Sequence, residues 1–418
     1  MPGTVALVRC TTYNLEEVEH AVRSAVGLLG GMSAFVKPGW RVVLKPNILR
    51  AASPESAIIT HPAVVRAVAL LVREAGATPV LAESPAGPFN KAVLRLAYTR
   101  GGYDKVAEEV EMELNYDVST LQVSHPEGHL IKRLDILKAV AEADAVIALP
   151  KFKTHNLTRI TGATKILFGV VPGVTKFGYH AKLQDAMRFS EALVDIITYV
   201  KPVLMVMDAV VGMHGNGPSG GDPYTANLLL ASADPFAMDV VCASLVGMEP
   251  MSIPPLRVAA SRGLTTGRLA DVPTVGLSPD EARLEGFRFG TATTMDTGIF
   301  PRTIRRLGRR LVAARTVDGR PAHEAADYAA LDVGTAPKSI RSWVTRQIVA
   351  NPQATDRCVG CGVCVRSCPV GAITLVNGRA HMDWDKCIRC YCCHEVCPEN
   401  AVELRRSLLG RLMSLGSE

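Results

Sequence analysis

Residues 41–82 read RVVLKPNILRAASPESAIITHPAVVRAVALLVREAGATPVLA, and this stretch decides the class of fold. The β-branched run 41–45 predicts a buried strand. Pro62–Glu74 predicts a helix, because Val64, Val65, Val68, Leu71 and Val72 recur at helical spacing on one face. Gly76 stops that helix, and 78–82 starts a second strand. The alternation continues outward, with helices around 91–99 and 104–113 and a strand Ala145–Leu149 that ends at Pro150. Beyond it come a helix over 181–200, a strand over 203–207 ending at Asp208, a strand over 227–231 and a helix over 236–246. Strands alternating with helices predict an α/β domain with a mainly parallel sheet. In such sheets ligands bind beyond the carboxyl ends of the strands, so the polar residues there are the first candidates for a site.

The 418 residues are 48% hydrophobic and 21% charged, which excludes wholesale disorder and leaves room for two or three folding units. The net charge of +6 is not spread along the chain: residues 1–300 carry 28 basic and 29 acidic side chains, residues 301–350 carry 10 and 4, and residues 351–418 carry 8 and 7. A nucleic-acid-binding protein would spread its excess over a large face, so that class is set aside. Residues 301–350 read as a basic amphipathic connector. Its helices either pack on the domains they join, with solvated arginines outside, or present a surface to an acidic redox partner or anionic lipid. No cationic leader followed by an apolar run opens the sequence, and no 18-residue apolar stretch occurs. The expectation is a soluble cytoplasmic protein without a transmembrane segment.

Only Cys10 and Cys242 precede residue 358; the other nine of 11 cysteines fall between Cys358 and Cys397. Secreted disulfide proteins distribute their pairs more widely. Here Cys358, Cys361, Cys364 and Cys368 repeat 29 residues later as Cys387, Cys390, Cys393 and Cys397, each set followed by Pro. Three thiolates on one tight loop can grip three corners of a cubane, and in this bacterial ferredoxin pattern the fourth ligates the other cluster. The spacing therefore predicts two [4Fe-4S] clusters, one on Cys358, Cys361, Cys364 and Cys397, the other on Cys387, Cys390, Cys393 and Cys368. Asn377-Gly378 between short β-rich runs predicts a hairpin. Zinc knuckles are the competing reading of Cys-x2-Cys, and Cys392 reads as a space-filler beside the ligands. Residues 351–405 thus resemble a small α+β ferredoxin-like 2[4Fe-4S] domain, followed by a tail over 406–418.

In the large domain, residues 145–184 contain no Asp or Glu, where ordinary composition would place about five. They do contain Lys151, Lys153, Arg159, Lys165, Lys176, Lys182, His155 and His180. Converging cations and glycine-opened amides suit a carboxylate or phosphate. Polar clusters also follow other strands: Lys45 with Asn47, Glu83 with Ser84, and Asp208 through Asn216 and Gly217. The expected catalytic groups are His155 and His180 as proton donors, with Lys165 and Asp208. Lys45, Asn47, Lys151, Lys153, Thr161, Gly162, Lys176, Asn216 and Gly217 are expected to bind substrate. Neither a Gly-x-Gly-x-x-Gly fingerprint nor a Walker A motif is present. A flavin or another small cofactor is compatible with the same anion site.

These motifs carry a resemblance. Residues 43–47 (VLKPN), 60–62 (THP), 150–155 (PKFKTH), 161–165 (TGATK), Phe168-Gly169 through Pro172-Gly173, Tyr179-His180, and Asp208 through Gly217-Pro218 resemble the domain-of-unknown-function family 362, over roughly residues 1–300. Ile166 departs from the Asn common in that family after the lysine. The resemblance implies the architecture, the shared cleft and a ferredoxin companion, and no general reaction. Residues and resemblance together predict an oxidoreductase passing low-potential electrons to a small anion in the Lys/His cleft. The alternatives are an electron-transfer protein that docks a redox partner, and a non-redox enzyme with structural clusters.

Overall fold

A strand with no polar break has to be covered on both faces, and the sheet of this protein is built around such a strand. The computed structural model describes residues 3–183, 185–290 and 350–405. Residues 301–349 of the basic connector expected over 301–350, and the tail over 406–418, lie outside the described residues. In chain order the strands of the large domain are β1 (Val5–Arg9), β2 (Arg41–Pro46), β3 (Thr78–Leu81), β4 (Glu113–Leu114), β5 (Thr120–Ser124), β6 (Arg133–Leu137), β7 (Ala145–Leu149), β8 (Lys151–His155), β9 (Arg159–Thr161), β10 (Leu204–His214), β11 (Asp222–Ser232) and β12 (Thr274–Gly276). Ten of them form one mixed sheet, ordered β12-β1-β11-β10-β7-β2-β3-β4, with β8 and β9 branching from β10. The run β10-β7-β2-β3-β4 is parallel, whereas β11 is antiparallel to both neighbours.

Alternation along each strand serves two cores. Val43, Met205 and Met207 point to the face covered by the helices Ala186–Val200 and Pro235–Leu245. Val42, Leu44, Leu204 and Val206 point to the other, covered by Leu15–Gly27 and Pro62–Glu74. That last helix has the bounds its periodicity predicts. Pro62 stands at its first position and His61 caps it, accepting the Ala63 N–H on Nδ1 at 3.2 Å.

Two local expectations are corrected. The single helix expected over 181–200 is two helices, Gly173–Lys182 and Ala186–Val200; the Asp185 carboxylate caps the second by accepting from Met187 and Arg188 N–H. The chain does not leave the sheet after Pro150, where the strand was expected to end: Lys151–His155 is strand β8. It pairs with β10, which does not stop at Asp208 but bulges between Ala209 and Val211 and continues to His214. The β8 lysines therefore turn inward. Lys151 Nζ donates to Asp208 Oδ2 and to the Tyr13 hydroxyl, each at 2.8 Å, and both members of the ion pair are fully buried. Asp208 also accepts from Tyr13 Oη at 2.8 Å and from the His61 N–H at 2.8 Å.

The small module repeats one pattern twice. Strands β14 (Ile373–Val376) and β15 (Arg379–Met382) form the expected hairpin, with Asn377 and Gly378 at φ 50° and 73° as a two-residue turn of that hand requires. Strand β13 (Asn351–Ala354) pairs antiparallel with β16 (Val402–Arg405). Short helices Val363–Arg366 and Cys392–Val396 pack against each other, the first also on β14 and the second on β16. Among the described residues no helix is long and apolar enough to cross a membrane.

Removing one partner of a buried ion pair strands the other charge. Asp208→Ala is expected to lower unfolding stability by about 3–5 kcal/mol, read by denaturant titration. A loss below about 1 kcal/mol, the range of exposed pairs, would show that the pair does not hold β8 to β10.

Candidate functional site

Where β2 and β3 end, their first polar residues face each other. Lys45 Nζ and Glu83 Oε2 form a buried ion pair at 2.5 Å. Lys45 also donates to the Pro46 carbonyl, and Glu83 accepts from the Ile48 and Ser84 N–H groups. Gly169 lies over this pair: a Cβ there would come within 2.2 Å of both Lys45 Nζ and Glu83 Oε1, so only glycine fits. Next to the pair is a cavity of ≈ 560 Å³, counting space that opens to solvent. Its large-domain wall carries Lys45, Asn47, Glu83, Ser84, Thr161, Lys165, Phe168, Lys176 and His180. Cys392, Glu395 and Val396 of the small module close the opposite side.

The wall holds ligand-binding groups not already engaged. Ser84 Oγ and Thr161 Oγ1 are buried without a hydrogen-bond partner, which buried hydroxyls rarely tolerate. Lys165 and Lys176 hold their ammonium groups 5.9 and 6.0 Å from the Phe168 ring centroid. Lys176 Nζ donates one proton to the Ser84 carbonyl. Burial holds its pKa down to about 7; Glu83 opposes the shift, and Lys45 and Lys165 add to it. Burial, followed by Lys165 and Lys176, lowers His180 to about 3, and His155 lies well below its ordinary value for the same first cause. Glu395 is pushed up by burial despite the lysines around it.

The residues expected from sequence therefore separate into two groups. Lys45, Asn47, Thr161, Lys165, Lys176 and His180 line the cavity. The others are used elsewhere. Lys151 and Asp208 pair with each other, and Lys153 Nζ donates to the Ile58 and Pro218 carbonyls at 2.7 and 3.1 Å. Gly162 gives room to Asp239, whose carboxylate accepts from the Ala163 and Thr164 N–H groups; a Cβ there would meet it at 1.9 Å. Gly217 packs on Thr154, and the Asn216 carbonyl meets His394 of the small module. His155 Nδ1 accepts from Leu157 and Thr158, while its Nε2 stands 3.5 Å from Glu395 Oε1. Both histidines expected as proton donors are neutral near pH 7, because burial among lysines disfavours the imidazolium, whereas Lys176 is held down to about 7. Cys392 and Glu395 were missed as wall residues. The one available signal was the missing counter-charge over 145–184.

In the small module, Cys358, Cys361, Cys364 and Cys397 surround one hollow, and Cys368, Cys387, Cys390 and Cys393 another. Backbone N–H groups of Ala380, Ala401, Ala372 and Arg389 point at the sulfurs of Cys358, Cys397, Cys368 and Cys387 over 3.2–3.4 Å. Four thiols around one space, with N–H donors on sulfur, fit an iron–sulfur cluster. The second hollow also borders Cys392, so it backs onto the cavity.

The module is seated on the large domain through His394, whose carbonyl accepts from Ser219 Oγ at 3.2 Å. Gly220 leaves room for its ring, since a Cβ would lie 2.5 Å from His394 Cε1. Gly220→Val is therefore expected to unseat Cys392–Val396, seen as faster hydrogen exchange over 392–397 with the large-domain sheet unchanged. Unaltered exchange there would show the seat does not depend on this contact.

Comparison with known proteins follows the same division of the chain. The description "Domain of unknown function (DUF362)" matches residues 42–244, and "4Fe-4S dicluster domain" matches residues 352–398. The thylakoid-associated protein sll1697 of Synechocystis sp. is 36% identical over 271 residues, 63% of this chain and 81% of that protein. Among solved structures, the lactate racemase apoprotein from Thermoanaerobacterium thermosaccharolyticum is similar with 14% identity and a TM-score of 0.36, over 59% of this chain and 58% of that one. A protein from Thermotoga maritima is similar with 11% identity and a TM-score of 0.31, over 49% and 52%. The chain spans only 58% and 52% of those two structures. The dicluster match supports iron–sulfur cofactors and electron transfer. By its motifs and its match to 81% of the Synechocystis relative, the chain belongs to the DUF362 family, here joined to a 4Fe-4S dicluster domain.

Proposed function

We propose that this protein is an iron–sulfur oxidoreductase that delivers low-potential electrons, one at a time, to a small carboxylate or phosphate anion in the cavity between its two domains. One cluster would be held by Cys358, Cys361, Cys364 and Cys397, the other by Cys368, Cys387, Cys390 and Cys393. Two bound [4Fe-4S] clusters would supply the single electrons. The carrying observation is that Cys392–Val396 is at once a wall of the cavity and the link between two cysteines of the second set and Cys397.

The chain's own residues have separable tasks in this reading. Lys165 and Lys176 hold the anion by charge, and the Ser84 and Thr161 hydroxyls donate to its oxygens. Lys176 Nζ, with a pKa of about 7, is placed to give up a proton as the anion is reduced. His180, stacked on Phe189 at 4.7 Å, presents a neutral ring that shapes the wall. Ile48, Ile166, Phe177 and Val396 limit water, which strengthens the charge interactions. A reducing, cytoplasmic setting belongs to the same proposal, since the thiols needed for clusters must stay unpaired.

The test uses iron-loaded full-length protein, reduced anaerobically and mixed with small carboxylates and phosphates. A specific anion should reoxidise it, and Lys165→Ala should slow this roughly tenfold or more, the worth of one charge-assisted contact. Unchanged turnover in Lys165→Ala and Lys176→Ala together would reject the cavity as the site. Anion affinity should also depend on pH: the Lys176 charge is present below about 7 and lost above it, so binding weakens as pH rises through that value. Lys176→Met should remove this inflection, and its persistence would assign it to another group.

A second reading rests on a different surface. Cys361 is exposed, and around the same hollow Val359 (67%) and Leu375 are exposed apolar side chains. Such a rim suits docking of a redox partner protein, with the large domain as a platform. In that reading cavity variants leave electron transfer unchanged, whereas Val359→Glu impairs it.

A further inference from the structure

Arg50 belongs to the large domain but makes its hydrogen bond in the small module. Its Nη2 donates to Asn400 Oδ1 at 2.9 Å, and its Nε is buried without a hydrogen-bond partner. Among the described residues no carboxylate lies in ion-pair contact with it, whereas Arg23, Arg41, Arg66 and Arg262 all have one. A guanidinium does not give up its proton, so it cannot escape the cost of burial by becoming neutral. It needs negative charge nearby; Glu399, on the turn that Arg50 grips, supplies part of this without ion-pair contact, and Arg100 works against it.

The turn that Arg50 grips shows where that charge would be. Asn400 donates its own N–H to the Cys397 carbonyl at 3.3 Å, and the next N–H, of Ala401, donates to Cys397 Sγ at 3.2 Å. Asn400 holds φ at 46°, a left-handed conformation that aims its side chain and the following N–H within one tight turn around the cysteine. Cys397 is also the residue that crosses from the second repeat to the hollow of the first set. A cationic side chain from one domain thus holds, through Asn400, the turn that wraps the thiol joining the two halves of the other, and after burial Cys397 is the strongest influence on its charge.

We propose that Arg50 is a positioning residue that raises the reduction potential of the cluster held by Cys358, Cys361, Cys364 and Cys397, acting as that cluster's counter-ion through the Cys397 turn. The inference rests on the ligand sets given above. Reduction adds one electron and makes no bond, so the site becomes more negative by one charge. A fixed buried cation favours that state, and net charge and hydrogen bonding to sulfur are among the levers that set such potentials. The large domain would in this way tune the module it carries, apart from binding the anion.

The test is an anaerobic redox titration of iron-loaded full-length protein against dithionite and mediators, followed by EPR. Arg50→Gln keeps a donor for Asn400 and loses the charge; it should move one midpoint to lower potential and leave the other in place. Arg50→Lys should restore most of the shift. Asn400→Ala, which keeps the charge but frees it from the turn, should move the same midpoint in the same direction by less. Midpoints unchanged in Arg50→Gln would overturn the proposal, as would Arg50→Lys behaving like Arg50→Gln, which would mark Arg50 as a mechanical tether. If Arg50→Gln loses its iron, Asn400→Ala decides by the same criterion. Wild-type protein without any [4Fe-4S] signal would overturn the ligand sets, and the inference with them.

Discussion

Burying lysine ammonium groups where few acids accompany them is the constraint that organises this protein. Lys45, Lys151, Lys153 and Lys176 are all buried, and the buried carboxylates around them are Glu83, Asp208 and Glu395. Removing such charges from water costs several kcal/mol each unless they are paired or well hydrogen-bonded. Each lysine meets that demand differently. Lys151 takes Asp208 and ties β8 to β10, and Lys45 takes Glu83 at the head of the cleft. Lys153 has two carbonyls, and Lys176 has one carbonyl and a lowered pKa. The deficit that remains faces the small module, which supplies Glu395, and the cavity, where an anion would supply the rest.

The same arrangement bears on electron transfer. An anion and a reduced cluster repel each other, so bringing them together requires cations between or beside them. Lys165 and Lys176 stand on the cavity wall facing Cys392–Val396, while Arg50 stands by the Cys397 turn. Positive charge from the large domain therefore reaches both cysteine sets of a module whose own excess over residues 351–418 is one charge, 8 basic against 7 acidic. In the proposed function, docking, anion binding and reduction would be coupled through one electrostatic balance, so that a change in any one of them would alter the others.

Much of this was legible in sequence because it depends on local pattern. The helix Pro62–Glu74 and the strand Ala145–Leu149 appear with the bounds their periodicity predicts, since one shows a single apolar face and the other none that is polar. The cysteine repeat is a spacing, and spacing survives without coordinates. What could not be read depended on long-range pairing. Lys151–His155 alternates weakly and follows a proline, so nothing local shows that β10 continues past Asp208 to receive it. The acid-free stretch pointed to an anion site, but six candidates line the cavity while Lys151 and Lys153 are consumed by internal partners. Glu395 lies 240 residues from His155 in the chain and 3.5 Å from it in space. The neutrality of His155 and His180 follows from burial, which composition does not reveal.

The central claim is spatial: a small anion sits within the magnetic reach of a reduced cluster. Pulsed EPR on the reduced, iron-loaded protein measures this directly, using ³¹P-phosphate and ¹³C-labelled carboxylates as probes. The account predicts a hyperfine coupling between the cluster spin and the nucleus of whichever probe binds stoichiometrically, lost in Lys165→Ala. A stoichiometrically bound anion with no detectable coupling would contradict it.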